Sequence, residues 1–297
     1  MAKRGDPIDG VMLLDKPYGM SSNAALQTVR RLINAQKAGH TGTLDPMATG
    51  LLPLCFGNAT KFSADLLHAD KGYVARVKLG EVTTTGDVEG EVVERHEVCV
   101  TSEALAEAVA RFKGEIEQVP PMYSALKVNG RCLYELARQG ETVAREPRRV
   151  TVKSIEAKDF DGVSFTLDCL VSKGTYIRVL AEDIGRALGC GAHLTALRRT
   201  RVGTLTIEHA VAMEDLQACA DPVAARQHLA GADALLSTLE AVDLDETQTA
   251  RFMTGQRLAL GLTMRGRVRV YGPNKMLLGT AQVNDRGVLE PERLIAH

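Results

Sequence analysis

The amino-acid sequence predicts an α+β protein with a mixed, mainly antiparallel sheet and flanking helices, followed by a small C-terminal β-barrel-like module. Strand-like and helix-like apolar spacings both occur through the first part of the chain, without any visible internal repeat. After about residue 246 the pattern changes to short strands with turns every several residues. The 297 residues are enough for one large domain and one small one. We therefore predict two domains, at 1–246 and 247–297.

Two strands are predicted in the first part of the chain. The run VMLL at 11–14 is typical of a buried strand, and the turn residues of DKPYG end it. In YVARVKLG, every second residue from Tyr73 to Leu79 is apolar or aromatic, while Arg76 and Lys78 fall on the other face. This alternation predicts a half-buried strand with Tyr73 on its apolar face.

Helices and one further strand follow. SEALAEAVARFKG is typical of a helix with Ser102 as its N-cap and Gly114 beyond its end. SFTLDCLVSKG alternates as a strand does, and TYIRVLAEDIGRALG has apolar residues at helical spacing. That helix should begin close to Tyr176 and Arg178, with Gly189 suited to its C-cap. Residues 216–246 are Ala-rich and helical in character.

The composition excludes several classes of protein. With 45% hydrophobic residues, 25% charged residues and a net charge of −1, the chain is typical of a globular protein and not of a disordered one. The start, MAKRGDPIDG, is too polar for a signal peptide, and runs such as LLPLCF are too short to span a bilayer. We therefore expect a cytoplasmic protein with no membrane partner. The six cysteines contain no CxxC pair, so neither a disulfide framework nor a metal site is predicted.

One carboxylate stands out in the sequence. Asp45 is the only formally charged residue in AGHTGTLDPMATGLLPLCFGNAT, residues 38–60, where a chain with 25% charged residues would carry about six. Three kinds of site are not indicated. A glycosidase needs a second carboxylate nearby, and an aspartyl phosphotransferase usually has a second Asp where Met47 stands. A metal site is not indicated either, because the histidines form no metal-binding pair. Two interpretations remain open. Asp45 is a nucleophile or base in a dry pocket, kept ionised by a cation, or it is an Asx-turn residue before Pro46.

Three basic stretches indicate a nucleic-acid partner despite the neutral overall charge. The stretch from about 121 to 149 interleaves lysines and arginines with Tyr123 and Tyr134, a mixture that suits RNA phosphates and bases. LRRTR at 197–201 adds a second cluster. In RGRVRV three arginines fall on one face of a strand, where they repel unless an anion faces them. The alternative for that last strand is a solvated edge strand.

Several long motifs then carry a resemblance. The chain resembles the bacterial tRNA pseudouridine synthase family, TruB, over roughly residues 8 to 215, and its tail from about 247 resembles a PUA-type RNA-binding module. The resemblance implies the pseudouridine synthase fold, an RNA-contacting insertion at about 121–149, and isomerisation of the T-loop uridine at tRNA position 55 by base flipping. It implies tRNA as partner and no cofactor. The motifs are LLDKPYGMSS, GHTGTLDPMATGLLPLCFGNATKF, MYSALKVNGRCLYELARQG, SKGTYIRVLAEDIG and GCGAHLTALRRTRVG.

The resemblance also implies roles for individual residues. Asp45 would be the catalytic aspartate and Arg178 its partner, which agrees with the preference of an ionised carboxylate for a guanidinium. Tyr73 would stack on the flipped uracil and assist proton removal from its C5 atom. Supporting roles fall to Tyr176 and Leu197, which would line the pocket, to His40, which would enter the space left by the flipped nucleotides, and to Lys16, which would support the aspartate loop. The candidate contacts to the RNA backbone are Lys127, Arg131, Arg148, Arg149, Arg265, Arg267 and Arg269.

Two other function classes share parts of this pattern. An RNA-binding or RNA-folding protein without turnover needs the basic surfaces and the β tail, but it does not need Asp45, Tyr73 and Arg178 together. The catalytic subunit of a guide-RNA-dependent complex shares the fold, but the absence of long Lys-rich tails argues against it. We therefore expect a monomer that acts without guide RNA. The sequence leaves open whether Asp45 attacks C1′, attacks C6 of uracil or removes a ribose 2′ proton.

Overall fold

The structure is a computed structural model that describes residues 5–128 and 130–295. Its main sheet has ten strands, most of them in antiparallel pairs, so the predicted mixed, mainly antiparallel sheet is confirmed. The main sheet consists of β1 (Gly10–Lys16), β2 (Ala38–His40), β3 (Ala48–Phe56), β4 (Lys71–Leu79), β7 (Gly114–Gln118), β10 (Arg148–Lys158), β11 (Ser164–Val171), β12 (Ala192–Val202), β13 (Leu205–Thr206) and β14 (Val211–Ala212). Two hairpins lie outside it, one formed by β5 (Glu81–Thr83) with β6 (Val92–Arg95) and one by β8 (Lys127–Val128) with β9 (Arg131–Cys132).

The order of the strands in the main sheet is β14, β1, β3, β12, β4, β11, β10 and β7, with β2 paired to β3 and β13 to β12. The two parallel pairs are β1 with β14 and β3 with β12. The second of these places Leu197 opposite Ala48. On the other side of β12, Arg199 lies opposite Tyr73 of β4. The centre of the sheet therefore brings residues from three distant parts of the sequence together.

Helices cover the apolar face of the sheet. Ala75, Val77 and Leu79 of β4 are at most 1% exposed and belong to the same core as Leu180 and Ile184 of α5. Each Leu or Ile side chain buried in this way contributes about 1.5–3 kcal/mol to the free energy of unfolding. The α-helices are α1 (Ser22–Leu32), α2 (Ser63–Leu67), α3 (Ser102–Ala110), α4 (Leu133–Arg138), α5 (Ile177–Ala187), α6 (Met213–Gln217), α7 (Pro222–Arg226) and α8 (Glu246–Met253). Short 3-10 helices lie at Gly57–Phe62, Ile207–His209, Ala232–Leu236 and Pro273–Lys275.

Most of the predicted elements are present, with two local differences. Helix α5 begins at Ile177 with Tyr176 as its N-cap, as predicted. Helix α3 is capped by Thr101 and not by Ser102, because the Thr101 hydroxyl accepts the hydrogen bond from the backbone N–H of Ala104. Gly114, predicted to follow that helix, opens strand β7 with a φ of +105°.

The prediction of helical character for residues 216–246 is mostly wrong. This part of the chain contains only the ends of α6 and α8, the short α7, the 3-10 helix Ala232–Leu236 and strand β15 (Glu240–Asp243). Asp221 caps α7 and Pro222 opens it, so the Ala-rich run cannot continue as one long helix. Strand β15 pairs in parallel with β17 (Gly266–Tyr271), and this long-range pairing decides the conformation at that position.

A second sheet of five strands forms the C-terminal part of the structure, as the change of pattern after residue 246 predicted. Its strands, in spatial order, are β15, β17 (Gly266–Tyr271), β18 (Leu277–Val283), β19 (Val288–Leu294) and β16 (Leu258–Ala259). The interpretation of RGRVRV as an edge strand is wrong, since β17 lies between two others. Strand β15 comes from the part of the chain assigned to the first domain, and the division at residue 246 stays a prediction.

The two sheets are in contact through apolar and charged groups. Ile295 packs in one cluster with Phe62, Leu66 and Leu235. The ammonium group of Lys61 donates a 2.9 Å hydrogen bond to the main-chain carbonyl of Leu294. None of the described helices has the length and apolar character needed to cross a membrane.

Candidate active site

The loop that carries Asp45 lies between strands β2 and β3 and is held from several sides. The Ser22 hydroxyl accepts a 2.7 Å hydrogen bond from the backbone N–H of Leu44 and donates to its carbonyl at 3.0 Å. The N–H of Gly19 donates to the carbonyl of Pro46 at 2.8 Å. The residues on both sides of Asp45 are therefore fixed by bonds to α1 and to the loop before it.

Lys16, for which the resemblance implies a supporting role, donates a hydrogen bond to the loop that carries Asp45. Its side chain is 0% exposed, and its Nζ atom donates to the carbonyls of Met20 at 2.6 Å, Pro17 at 2.9 Å and Pro46 at 3.4 Å. Burial lowers the pKa of this ammonium from 10.5 to about 8, and the nearby Asp45 opposes the shift. Lys16 thus puts a buried positive charge next to the aspartate loop.

Arg178 holds the Asp45 carboxylate directly. Its Nη2 atom lies 3.0 Å from Oδ2 of Asp45, and the arginine side chain is only 5% exposed. The same Nη2 atom also donates to the carbonyl of Tyr123 at 2.6 Å, Nη1 donates to the carbonyl of Thr85 at 2.9 Å, and Nε lies 3.6 Å from Oδ2 of Asp87. A cation in the first turn of a helix is unfavourable for the helix dipole. The two carboxylates and two carbonyls around Arg178 compensate for this unfavourable position.

Asp87 is a member of this site that the sequence analysis missed. It is 2% exposed, and its Oδ1 accepts hydrogen bonds from the Thr85 hydroxyl at 2.5 Å and from the backbone N–H of Glu89 at 3.0 Å. Asp45 and Asp87 therefore share the Arg178 guanidinium. The only signal in the sequence was TTTGDVEG, which resembles an ordinary surface turn.

Burial and two charged neighbours shift the pKa of the Asp45 carboxyl in opposite directions. Burial raises its pKa above the usual 3.8, Arg178 opposes this shift, and the negative charge of Asp87 adds to it. The side chain is still 35% exposed, and this exposed part faces the cleft. The ion-pair partner of the carboxylate is Arg178, and no described hydrogen bond of the carboxylate supports the Asx-turn interpretation.

The carboxylate opens into a cleft of about 260 Å³ whose walls combine apolar and polar side chains. Tyr73 is 9% exposed and Leu197 is 7% exposed, and both line this cleft together with Tyr176. The Gln118 side chain fixes Tyr176 by accepting from its N–H at 3.0 Å and donating to its carbonyl at 3.3 Å. The structure therefore brings together Asp45, Arg178 and the three predicted pocket residues.

His40 is not among the residues that line this cleft. It ends strand β2, and its Nδ1 atom is buried without a hydrogen-bond partner among the described residues. Burial lowers the pKa of the His40 imidazole, and the charge of Arg199 lowers it further. Its role in filling the space of flipped nucleotides stays a prediction.

The basic cluster at 197–201 does not form the free patch that the sequence predicted. Arg199 is 1% exposed and donates to the carbonyls of Leu51, Gly42 and Thr43 at the wall of the cleft, so it is not part of an exposed basic surface. Its backbone passes so close to Gly50 that a Cβ atom there would lie 2.3 Å from the Arg199 carbonyl oxygen. The remaining contacts are those of Arg198 with Asp15 at 2.6 Å and of Arg201 with the Gly203 carbonyl at 2.6 Å.

Two of the three arginines, Arg267 and Arg269, lie on one face of β17 as predicted, while Arg265 lies outside the strand. Arg267 forms ion pairs with Asp65 of α2 and with Glu292, so it joins the two sheets. Arg265 lies before β17, where its exposed guanidinium donates to main-chain carbonyls such as that of Leu262. Arg269 lies over the Tyr271 ring, with 5.8 Å between Cζ and the ring centroid. Two of the three arginines thus remain without a carboxylate within ion-pair distance in the described structure.

The segment from Pro121 to Arg149 contains the β8–β9 hairpin and helix α4, and most of it is exposed. The large apolar side chains that it buries are Leu133 and Leu136. Its candidate RNA contacts all point to the surface, with Arg131 near Glu141 at 3.8 Å and Arg149 near Glu117 at 3.7 Å. These exposed pairs contribute about 0–1 kcal/mol each and leave the cations available to a stronger anion.

We expect the segment from Pro121 to Arg149 to be mobile in the free protein and to become ordered on tRNA. The two buried leucines offset only a small part of the entropy lost on ordering, about 1–2 kcal/mol per residue. Hydrogen exchange of the backbone amides with and without tRNA measures this change. Strand β4, already buried, is the internal control. Equal protection of the segment in both states would contradict the prediction.

No group of three or more His, Cys, Asp or Glu side chains in the described residues is arranged to hold a metal ion. The site consists of one cleft-facing carboxylate, a buried arginine that holds it, and walls of apolar and polar side chains. Such an arrangement is suited to an enzyme that uses a carboxylate as nucleophile or base.

Sequence comparisons identify the family within this class. The chain matches the families described as TruB family pseudouridylate synthase (N terminal domain) at residues 30–177, tRNA pseudouridylate synthase B C-terminal domain at 178–241, and Pseudouridine synthase II TruB, C-terminal, at 241–295. The chain belongs to the TruB family of pseudouridylate synthases. The tRNA pseudouridine synthase B of Burkholderia mallei (strain NCTC 10247) is 57% identical over 99% of both chains. That of Cupriavidus metallidurans is 56% identical over 97% of this chain and 94% of the other.

Solved structures show the same fold. A Cbf5-Nop10-Gar1 complex contains a chain that is 26% identical, with a TM-score of 0.73 over 96% of this chain and 84% of that chain. An H/ACA RNP bound to a substrate RNA containing 2′-deoxyuridine contains one that is 23% identical, with a TM-score of 0.74 over 100% of this chain and 91% of that chain. The predicted α+β fold with a C-terminal β module is therefore confirmed.

Proposed function

We propose that the protein is a tRNA pseudouridine synthase that converts the T-loop uridine at tRNA position 55 into pseudouridine. The observation that carries this proposal is the Asp45 carboxylate, held 3.0 Å from Arg178 at the cleft. Membership of the TruB family and the names of the relatives support tRNA as the substrate. Position 55 comes from the family resemblance of the motifs.

The reaction accounts for the character of the cleft. The bond from C1′ of the ribose to N1 of uracil breaks, the ring rotates, and a bond from C1′ to C5 forms. C5 then loses a proton and N1 gains one, so the isomerisation is redox-neutral and needs no cofactor. The detached uracil must be kept from water, and the apolar walls of Tyr73, Tyr176 and Leu197 do this. Tyr73 stacks on the ring and assists proton removal from C5.

The carboxylate can act in three ways, and the same geometry serves each. Asp45 attacks C1′ or C6 as a nucleophile, or it removes a ribose 2′ proton as a base. Arg178 keeps the carboxylate oriented, and Asp87 in turn fixes the arginine. Because burial raises the pKa of Asp45, the reactive ionised form decreases as the solution becomes acidic.

Extrusion of the base from the T loop costs a few kcal/mol, on the order of unstacking and unpairing one nucleotide. Contacts to the RNA backbone must offset this cost. We propose that cations of the insertion at 121–149 and of the second sheet supply them, with His40 filling the vacated space. The cations are Lys127, Arg131, Arg148, Arg149, Arg265 and Arg269. Arg267 contributes indirectly, because its ion pairs with Asp65 and Glu292 join the second sheet to α2.

Replacement of Arg265 and Arg269 by Gln should weaken tRNA binding and flatten its salt dependence, by at most ~0.7–0.9 log units per lost phosphate contact. The chemical step should survive, because neither residue lines the cleft. Filter binding over a series of salt concentrations measures the slope. Arg267→Gln is the comparison, since its charge is already neutralised by Asp65 and Glu292. An unchanged slope in the double variant would show that the two arginines are merely solvated.

The function is tested with purified protein and an unmodified tRNA transcript labelled with tritium at C5 of its uridines. Formation of the bond from C1′ to C5 releases that tritium to water, so one equivalent per tRNA is expected with no other component present. A transcript with cytidine at position 55 should release none. Binding without release would support an RNA-binding protein without turnover, and release only after addition of a guide RNA would support the complex subunit.

We propose a synthase domain at 1–246 and a PUA-type RNA-binding module at 247–297, with strand β15 completing the sheet of that module. The protein acts as a monomer without guide RNA. Its substrate places it in the cytoplasm.

A further inference from the structure

The rim of the cleft carries a contact between two basic side chains that the proposed catalytic step does not use. His68 caps the C-terminal end of α2, and Lys173 lies in the loop between β11 and α5. The Nζ atom of Lys173 lies 2.5 Å from Nδ1 of the His68 ring. An ammonium group can only donate, so the ring accepts at Nδ1.

This contact crosses the opening of the cleft. Leu67, next to His68, and Gly174, next to Lys173, both line the cleft that contains Asp45. Both basic side chains are exposed to solvent. A nucleotide whose base enters the cleft therefore brings its backbone close to His68 and Lys173.

The surrounding charges leave Lys173 without a negative partner. Lys153 of β10 is paired with Asp70, and the buried Lys71 donates its hydrogen bonds to main-chain carbonyls. Within the described part of the chain, no carboxylate lies within ion-pair distance of Lys173. An exposed ammonium beside the cleft, bonded only to a ring nitrogen, is suited to receive an anion.

We propose that His68 and Lys173 together bind one backbone phosphate of the substrate RNA at the rim of the cleft, an inference that rests on the proposed function. A phosphate oxygen is a better acceptor for Lys173 than a ring nitrogen, because it carries charge. When Lys173 turns to the phosphate, the N–H of the His68 ring can serve as the second donor.

The test is the affinity for unmodified tRNA of His68→Ala and Lys173→Gln, measured by filter binding over a series of salt concentrations. Ala in place of His68 removes the ring donor, and Gln in place of Lys173 removes the positive charge. We expect each variant to bind about three- to tenfold more weakly than the wild type. In Lys173→Gln the salt slope should fall by ~0.7–0.9 log units for the lost phosphate contact.

Lys158→Gln is the matched control, because Lys158 is an exposed lysine of β10 that is already paired with Glu156 and Asp168. Wild-type affinity and salt slope in both rim variants would overturn the proposal. A slower single-turnover step at saturating tRNA with unchanged affinity would also overturn it, since the contact would then serve only the shape of the rim. Tritium release by the wild type is followed in the same samples, so failure of the proposed function is seen separately from failure of the phosphate site.

Discussion

Asp45→Asn is expected to abolish pseudouridine formation and to leave tRNA binding unchanged. Asn keeps the size of the side chain and much of its hydrogen bonding, but it removes the charge needed for a nucleophile or base. Loss of such a group lowers the rate by about 10⁴-fold or more. The exposed cations that we propose for RNA binding are untouched by the change, so the dissociation constant should stay the same.

The measurement is single-turnover release of tritium beside a filter-binding titration. Asp15→Asn is the matched control, because Asp15 is also a half-buried aspartate paired with an arginine, Arg198 at 2.6 Å, but does not line the cleft. It should retain turnover. If Asp45→Asn converts uridine at close to the wild-type rate, the catalytic assignment of Asp45 is wrong. The size of the side chain, which Asn keeps, would then matter for the loop, and the charge would not.

The family resemblance predicted which residues meet at the centre of this site, and local patterns agreed with it. Depletion of charge around Asp45 marked a closed pocket, and the alternation in β4 put Tyr73 on the buried face, where it is 9% exposed. Arg178 was placed in the first turn of a helix, where a cation needs an anionic partner. Each of these signals lies within a few residues of the side chain concerned.

The parts that were missed depend on long-range contacts. Asp87 sits in a segment that resembles a surface turn, and only the fold brings it to Arg178. Arg199 belongs to a run of arginines that indicated an RNA surface, yet the parallel pairing of β12 with β3 buries it against main-chain carbonyls. Arg267 was assigned to RNA, but Asp65, distant in sequence, neutralises it. No local pattern distinguishes a cation that is paired within the protein from one that is free.

Arg178→Lys tests the other half of the catalytic pair. Lys keeps the positive charge, but a single ammonium cannot reproduce the planar fork that contacts Asp45, Asp87 and two main-chain carbonyls at once. A carbonyl left unpaired in this buried position costs about 1–3 kcal/mol, so the variant should also be less stable. Because one of those carbonyls belongs to Tyr123, the insertion at 121–149 loses a contact with the site as well.

We expect the single-turnover rate of Arg178→Lys to fall by about 10²-fold or more, the scale seen when one preorganised donor is lost, with nearly normal affinity for tRNA. Thermal unfolding measured on the same sample shows that the protein is folded at the assay temperature. Arg226→Lys is the control, since Arg226 also binds a carboxylate, that of Asp6, and a carbonyl, that of Ile33, but does not line the cleft. It should lose some stability and keep its rate. A rate for Arg178→Lys equal to that of Arg226→Lys would mean that the charge at this position suffices and that the fork geometry does not orient the carboxylate.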